Sequence, residues 1–307
     1  MTKNTQLLLE ELKRQGIPYE LINSELNTFR YQAHDGAWHY MCGMISEYLP
    51  ASSYIICKEK YLTYQMFINL DIPTPATINL NNYSDDFLNE YSPLVLKPGD
   101  SAHGRGIVMN IINKKMLMSA VKNSEVSTDN ILLQQQVEGI DLRMLLIGGH
   151  LVSTVERRPA NVIGDGHHNI SQLIKIENER PEREYHGTSK LRQISIEACN
   201  SYLSRPELNH IPKDGVSVRV AGPANQSLGG SVHQAAHHIT DEISRRAITI
   251  ARHINAPIAG VDCILTPNGD CYFIEINASP GIGIHDDNFW GIKDKSYEHY
   301  ARWLVSH

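Results

Sequence analysis

Apolar and polar positions follow two rhythms along this chain, and the switches between them mark its elements. The opening MTKNTQLLLEELKRQ spaces its leucines along one helical face, with charges between them. Gly16 stops that helix, and PYELIN starts a strand behind its proline. SSYIIC predicts a strand, and the residues after it predict a helix over 59–69. Another strand follows Pro73 and Pro75. SPLVLKPGDSAHGRGIVMNI alternates as strand, glycine-bearing turn, strand, the pattern of a hairpin. ILLQQQ is a further strand, and DLRMLLIGGHLVSTVERR predicts two strands joined at Gly148-Gly149. The loop GDGHHN leads into a short helix and then a charged segment, ENERPERE. A helix over 242–254 precedes IAGVDCILTPNGDCYFIEIN, two apolar strands turned at Asn268-Gly269. Strands and helices interleaved in this way predict an α/β or α+β build.

Composition narrows the picture. The 307 residues, 41% of them hydrophobic, suffice for two or three lobes with real cores. The net charge of −6 leaves no broad basic field for a nucleic-acid backbone. Charges interrupt the N-terminal apolar positions, which excludes a signal peptide there, and no apolar run is long enough to cross a bilayer. The five cysteines (42, 57, 199, 263, 271) are odd in number and lack CxxC spacing, so a reducing, cytoplasmic setting is expected. Among the fifteen histidines, His233 and His237 stand four apart in HQAAHH, but the glutamate of the zincin pattern is missing and a polar loop is expected. Trp38, Trp290 and Trp303 are too dispersed for a base-stacking platform.

Candidate chemistry gathers on the last two strands. A hairpin turned at Asn268-Gly269 pairs positions whose numbers sum to about 537. Asp262 then faces Glu275, and Asn277 lies one same-face step beyond. Three oxygen donors on one face suit Mg²⁺, which takes carboxylates, amide oxygens and phosphates. A solvated polar face is the alternative, and the apolar neighbours Val261, Ile264, Phe273 and Ile274 argue against it, because unpaired carboxylates are costly to bury. Lys97 ends a strand before a loop holding Gly99, His103, Gly104 and Gly106. Glycines admit phosphate oxygens to backbone N–H groups, and the lysine adds a point charge. Alone this is an ordinary glycine-bearing hairpin with a surface lysine. Beside a divalent cation it points to a nucleotide.

Together these stretches resemble the ATP-grasp superfamily from about 58 to 285, in the family's order: EKYLTYQMFINLDIPTPAT, LVLKP, LLQQQVEGIDLR, then GVDCIL with YFIEINASPG. DLRMLLIGGHLVSTVERRPANVIGDGHHNISQLI and VRVAGPANQSLGG are most similar to one branch, the ATP-grasp region of cyanophycin synthetase and related amino-acid ligases. The resemblance implies an α+β fold of two lobes gripping ATP, with residues 58–133 and 134–307 as the lobes behind a short α/β lobe over 1–57. It implies that Lys60, Lys97, His103, Gly104 and Gly106 meet the phosphates. Gln134 and Val137 would border adenine, and Asp141 the ribose. Arg143, Arg158 and Arg219 would offset charge during transfer, and Asp262, Glu275 and Asn277 would hold Mg²⁺ or Mn²⁺, two ions in all. Glu59 stands where the family usually has aspartate, which leaves Lys58 as a rival to Lys60, and Gln134 stands where the hinge commonly has glutamate. Cyanophycin synthetase carries further N- and C-terminal regions, so the expectation here is a stand-alone ligase rather than a polymerising enzyme. The implied activity joins a small carboxylate to an amine, an amino acid or peptide, through an acyl-phosphate, in a homodimer or homotetramer without nucleic-acid or membrane partners. A nucleotide-binding module without catalysis and a kinase releasing a phosphorylated product are the alternatives.

Overall fold

The computed structural model describes residues 1–100, 106–124, 127–184, 191–222, 224–286 and 294–307. The chain forms two compact units. One comprises residues 1–75, 137–155 and 234–307, the other 76–136 and 156–233. These limits differ from the boundaries expected at 57/58 and 133/134. The first 57 residues share a unit with the C-terminal hairpin, and residues 134–307 divide between both units.

In the first unit the strand Ile258–Leu265 lies between two antiparallel neighbours, Ile140–Ile147 and Cys271–Asn277. Alternate residues serve opposite faces. Leu142, Met144, Leu146, Ala259, Val261 and Cys263 join one core with Phe67 and with Ile243 and Ile250 of the helix Asp241–His253. Leu145, Ile147 and Ile258 join a second core with Leu8 and Leu12 of the helix Lys3–Arg14 and Tyr300 and Leu304 of the helix Ser296–Val305. This burial on both sides explains the near-continuous apolar run of these strands. On the second face Gly260, Asp262, Arg143 and Asp141 follow the buried apolar residues along the strands, so that face is apolar at one end and polar at the other.

A register shift between Asp262 and Cys263 changes the pairing sum from 537 to 536, leaving Ile274 as the extra residue of a bulge. The bulge lets Phe273 and Ile276 enter the same core although their numbers differ in parity. Glu275 and Asn277 consequently stay on the polar face.

The N-terminal region is one helix with an antiparallel sheet of Tyr19–Asn23, Thr28–Gln32, Trp38–Cys42 and Ile45–Ser46, in that order. Tyr31 is fully buried there and donates its hydroxyl to the Leu304 carbonyl at 3.2 Å. Residues 51–58, expected as a strand, form the helix Ala51–Lys58. Tyr54, Ile56 and Cys57 pack against the first core while Ile55 is exposed, so the short apolar run serves a helix face rather than a pleat.

The second unit has two separate cores. Four antiparallel strands, in the order Thr77–Asn79, Ile131–Gln135, Leu94–Pro98 and Val108–Ile111, bury Leu94, Leu96, Ile131 and Leu133 beside Leu117 of the helix Lys114–Lys122. The other core gathers Val162, Ile170, Ile174, Cys199 and Val220 around the strand pair Asn161–Ile163 and Ser217–Arg219.

Candidate active site

Hairpin register places Asp262 opposite Glu275, with Gly260 opposite Asn277 on the next same-face rung. The same strand sets Asp262 opposite Arg143 on its other side. Arg143 donates Nε to one Asp262 carboxylate oxygen and a terminal nitrogen to the other, both at 2.6 Å. This two-point geometry is among the strongest available to a carboxylate. Its terminal nitrogen also lies 3.7 Å from Glu275 Oε1, and Asn277 Nδ2 donates to that oxygen at 3.2 Å. Side-chain exposure is 15% for Arg143, 4% for Asp262 and 29% for Glu275. Glu275 is therefore the member reached from solvent. Gly260 keeps the floor low, because a Cβ there would come within 2.9 Å of Pro280. Arg143, expected against phosphate, is engaged by a carboxylate. Asp141 stands two residues before Arg143 on the same face and is half-buried.

In the second unit Lys97, Gln134 and Thr77 form a row across three strands. Lys97 Nζ donates to Gln134 Oε1 at 2.8 Å, and Gln134 Nε2 donates to Thr77 Oγ1 at 2.8 Å. All three side chains are buried. A buried ammonium needs such partners, and the Gln134 amide oxygen supplies one. Gln136 turns elsewhere: its amide makes two 2.8 Å bonds with Asn110, which adopts a left-handed φ of 59°. Gly106 has φ of 73°, and a Cβ there would meet Pro98 Cγ at 2.9 Å, so only glycine suits that turn. His103 and Gly104 lie outside the described residues.

Arg158 forms a two-point pair with Glu156 at 2.8 and 2.9 Å, and its guanidinium is half-exposed. His233 belongs to the same group. Burial first, and then the charge of Arg158, lowers its pKa below the usual histidine value. Its Nε2 sits 2.9 Å from Ser231 Oγ. Arg219 donates to the carbonyls of Ala221 and Gly222, with its guanidinium 5.5 Å above the Tyr202 ring. Glu156, Thr77 and Tyr202 were not anticipated from the sequence. Glu156 was findable, because positions i and i+2 of a strand share a face.

Lys60 begins the helix Lys60–Asn69 after an extended break at Glu59, and is half-buried. Its rival Lys58 lies outside that helix, 5.5 Å above the Tyr54 ring. Val137 is half-buried just beyond the strand Ile131–Gln135. The HQAAHH histidines do not share a helix, since His233 lies in the strand Ser231–Gln234 and His237 in a short 3₁₀ turn. Among the described residues no three His, Cys, Asp or Glu side chains converge as a metal cluster. The described residues also include no helix long and apolar enough to cross a membrane.

A hairpin presenting Asp, Glu and Asn, together with a lysine-bearing sheet, defines the class: the chain belongs to the ATP-grasp family, whose ATP-grasp domain matches residues 57–281. Cyanophycin synthetase from Crocosphaera subtropica is 28% identical over 300 residues, covering 92% of this chain and 34% of that protein. The glutathione biosynthesis bifunctional protein GshAB of Streptococcus agalactiae is 26% identical over 312 residues, covering 93% of this chain and 40% of its own length. The chain thus spans about a third of the curated cyanophycin relatives it matches. The crystal structure of a bifunctional glutathione synthetase from Pasteurella multocida superimposes with a TM-score of 0.67 at 19% identity, over 98% of this chain and 43% of that one. The expected α+β ATP-grasp fold is therefore the observed one.

Proposed function

We propose that the chain is an ATP-dependent carboxylate–amine ligase that forms an amide bond through an acyl-phosphate. The observation that carries this reading is the Asp262–Glu275 rung with Asn277 beside it, on the polar end of an otherwise buried sheet face. Those side chains fit a hard divalent cation: all three offer oxygen donors from two paired strands, and the Arg143 contact leaves lone pairs on both carboxylates. Asp262, Glu275 and Asn277 would hold Mg²⁺ or Mn²⁺, which supplies positive charge for the nucleotide's phosphate oxygens.

The acid's carboxylate attacks the γ-phosphorus of ATP, and ADP leaves. The amine then attacks the acyl carbon, and phosphate leaves. Lys97 meets transferring charge from a fixed position, because Gln134 holds its ammonium and Thr77 in turn holds the Gln134 amide. Lys60 supplies a second phosphate charge. Arg158 and Arg219 offset charge on the phosphoryl and acyl groups, each already oriented by its partners. Gln134 and Val137 border the adenine and Asp141 accepts the ribose hydroxyls. An amino acid or short peptide is the substrate class, in keeping with relatives named for cyanophycin and glutathione synthesis.

ADP release measured against pairs of amino acids and small acids, with mass spectrometry of the products, tests the reading. Amine-dependent ADP release is expected, and Glu275→Ala abolishes it without unfolding the chain. Wild-type turnover by Glu275→Ala overturns the site. ADP released without an amine indicates a kinase, and nucleotide binding with no ADP release a binding module.

A further inference from the structure

Two carboxylates facing each other on one rung repel, and burying them adds the cost of lost hydration. In this structure Arg143 offsets part of that cost. Arg143 grips both oxygens of Asp262 and also reaches Glu275, from the strand on the far side of Asp262. Arg143, Asp262 and Glu275 between them carry one positive and two negative charges, a net −1 for these three side chains. A cation approaching them meets an acid pair already half-compensated, at a guanidinium that cannot lose its proton.

We infer that Arg143 is the built-in counter-cation of the Asp262–Glu275 pair: it stabilises the carboxylates while no divalent ion is bound, and it lowers their affinity for a free ion. The ion is then taken up together with nucleotide phosphate, whose negative charge restores the balance. Arg143 is a positioning residue in this scheme, acting on the ion through Asp262. The inference rests on the proposed ligase site and concerns how that site fills. The Asp262 contact favours it over a phosphate role, because Nε and a terminal nitrogen of the guanidinium are already engaged by that carboxylate.

Mn²⁺ titration followed by electron paramagnetic resonance, without nucleotide, tests the inference directly. Arg143→Gln is expected to bind Mn²⁺ at least about tenfold tighter than the wild-type chain, because a neutral side chain exposes both carboxylate charges. The same variant melts at lower temperature in chelator, and Mn²⁺ restores more of its stability than it adds to the wild type. Arg143→Lys keeps the charge while losing the fork, and its Mn²⁺ affinity stays near that of the wild type. Unchanged Mn²⁺ affinity or unchanged melting in Arg143→Gln overturns the inference. So does an Arg143→Lys variant that binds tenfold tighter than wild type, an outcome readable even where Arg143→Gln does not fold. A separate arm, Mn²⁺ with a non-hydrolysable ATP analogue, decides the ligase site itself: wild type binds and Glu275→Gln does not. Failure of that arm overturns the site, whereas the nucleotide-free arms decide the role of Arg143.

Discussion

His233 sits among charged neighbours in a partly buried place, and its chemistry sets a pH dependence. Burial and Arg158 both disfavour the imidazolium, so its pKa in the folded chain lies below the usual value near 6.5. As pH falls through about 6.5, the unfolded chain takes up this proton before the folded one does. Stability is therefore lost between the unfolded and folded pKa values, and is fully present above both. Melting temperature measured from pH 8 to pH 5 should fall less steeply in His233→Gln than in wild type. Equal slopes would remove His233 as a source. Glu275 and Arg143 illustrate what was legible at this scale. The Asn268-Gly269 turn fixes which residue faces Asp262, so the acid pair follows from counting. The Asp262–Arg143 pair joins residues 119 positions apart, and no local pattern encodes it. Gln134 was expected beside adenine, while its restraint of Lys97 depends on which strands are neighbours.

Strands and helices were legible where the chain carries its own punctuation. The hairpin flanking Asn268-Gly269, the strands joined at Gly148-Gly149 and the opening helix all stand where their patterns place them. The helix Ala51–Lys58 did not, since a run of four apolar residues suits either period. Within Thr28–Gln32, Phe29 and Tyr31 alternate inward, but the polar turn after them hides the next strand, where only Met41 is buried. Gly148 shows the strength of one such signal. It has φ of 57°, and a Cβ there would lie 2.5 Å from two Trp303 ring atoms. Gly148→Ala should lower unfolding free energy by about 1–3 kcal/mol in urea titration, combining backbone strain with a clash. No loss would mean that Trp303 moves aside without cost.

At the scale of the whole molecule, the two units have cores that share no residue. The sequence gives no sign of this division, because the first unit is assembled from three separate stretches. The two described tryptophans, Trp38 and Trp303, fall within the first unit. In a Trp290→Phe background, tryptophan fluorescence therefore reports that unit, while far-ultraviolet circular dichroism reports both. Leu133 is fully buried in the second unit, and Leu133→Ala should cost about 2–5 kcal/mol there. The dichroism transition should move to lower denaturant while the fluorescence transition stays. Coincident shifts would establish a single cooperative molecule instead.

The helices Lys3–Arg14 and Ser296–Val305 share one core, and Arg14 pairs with Glu298 at 3.0 Å. On the ribosome, Leu8 and Leu12 are made well before Tyr300 and Leu304 and wait for them. The second unit has all of its residues once position 233 is made. Vectorial synthesis thus offers the second unit its complete core before the acid hairpin is made, and leaves that hairpin to find its place afterwards.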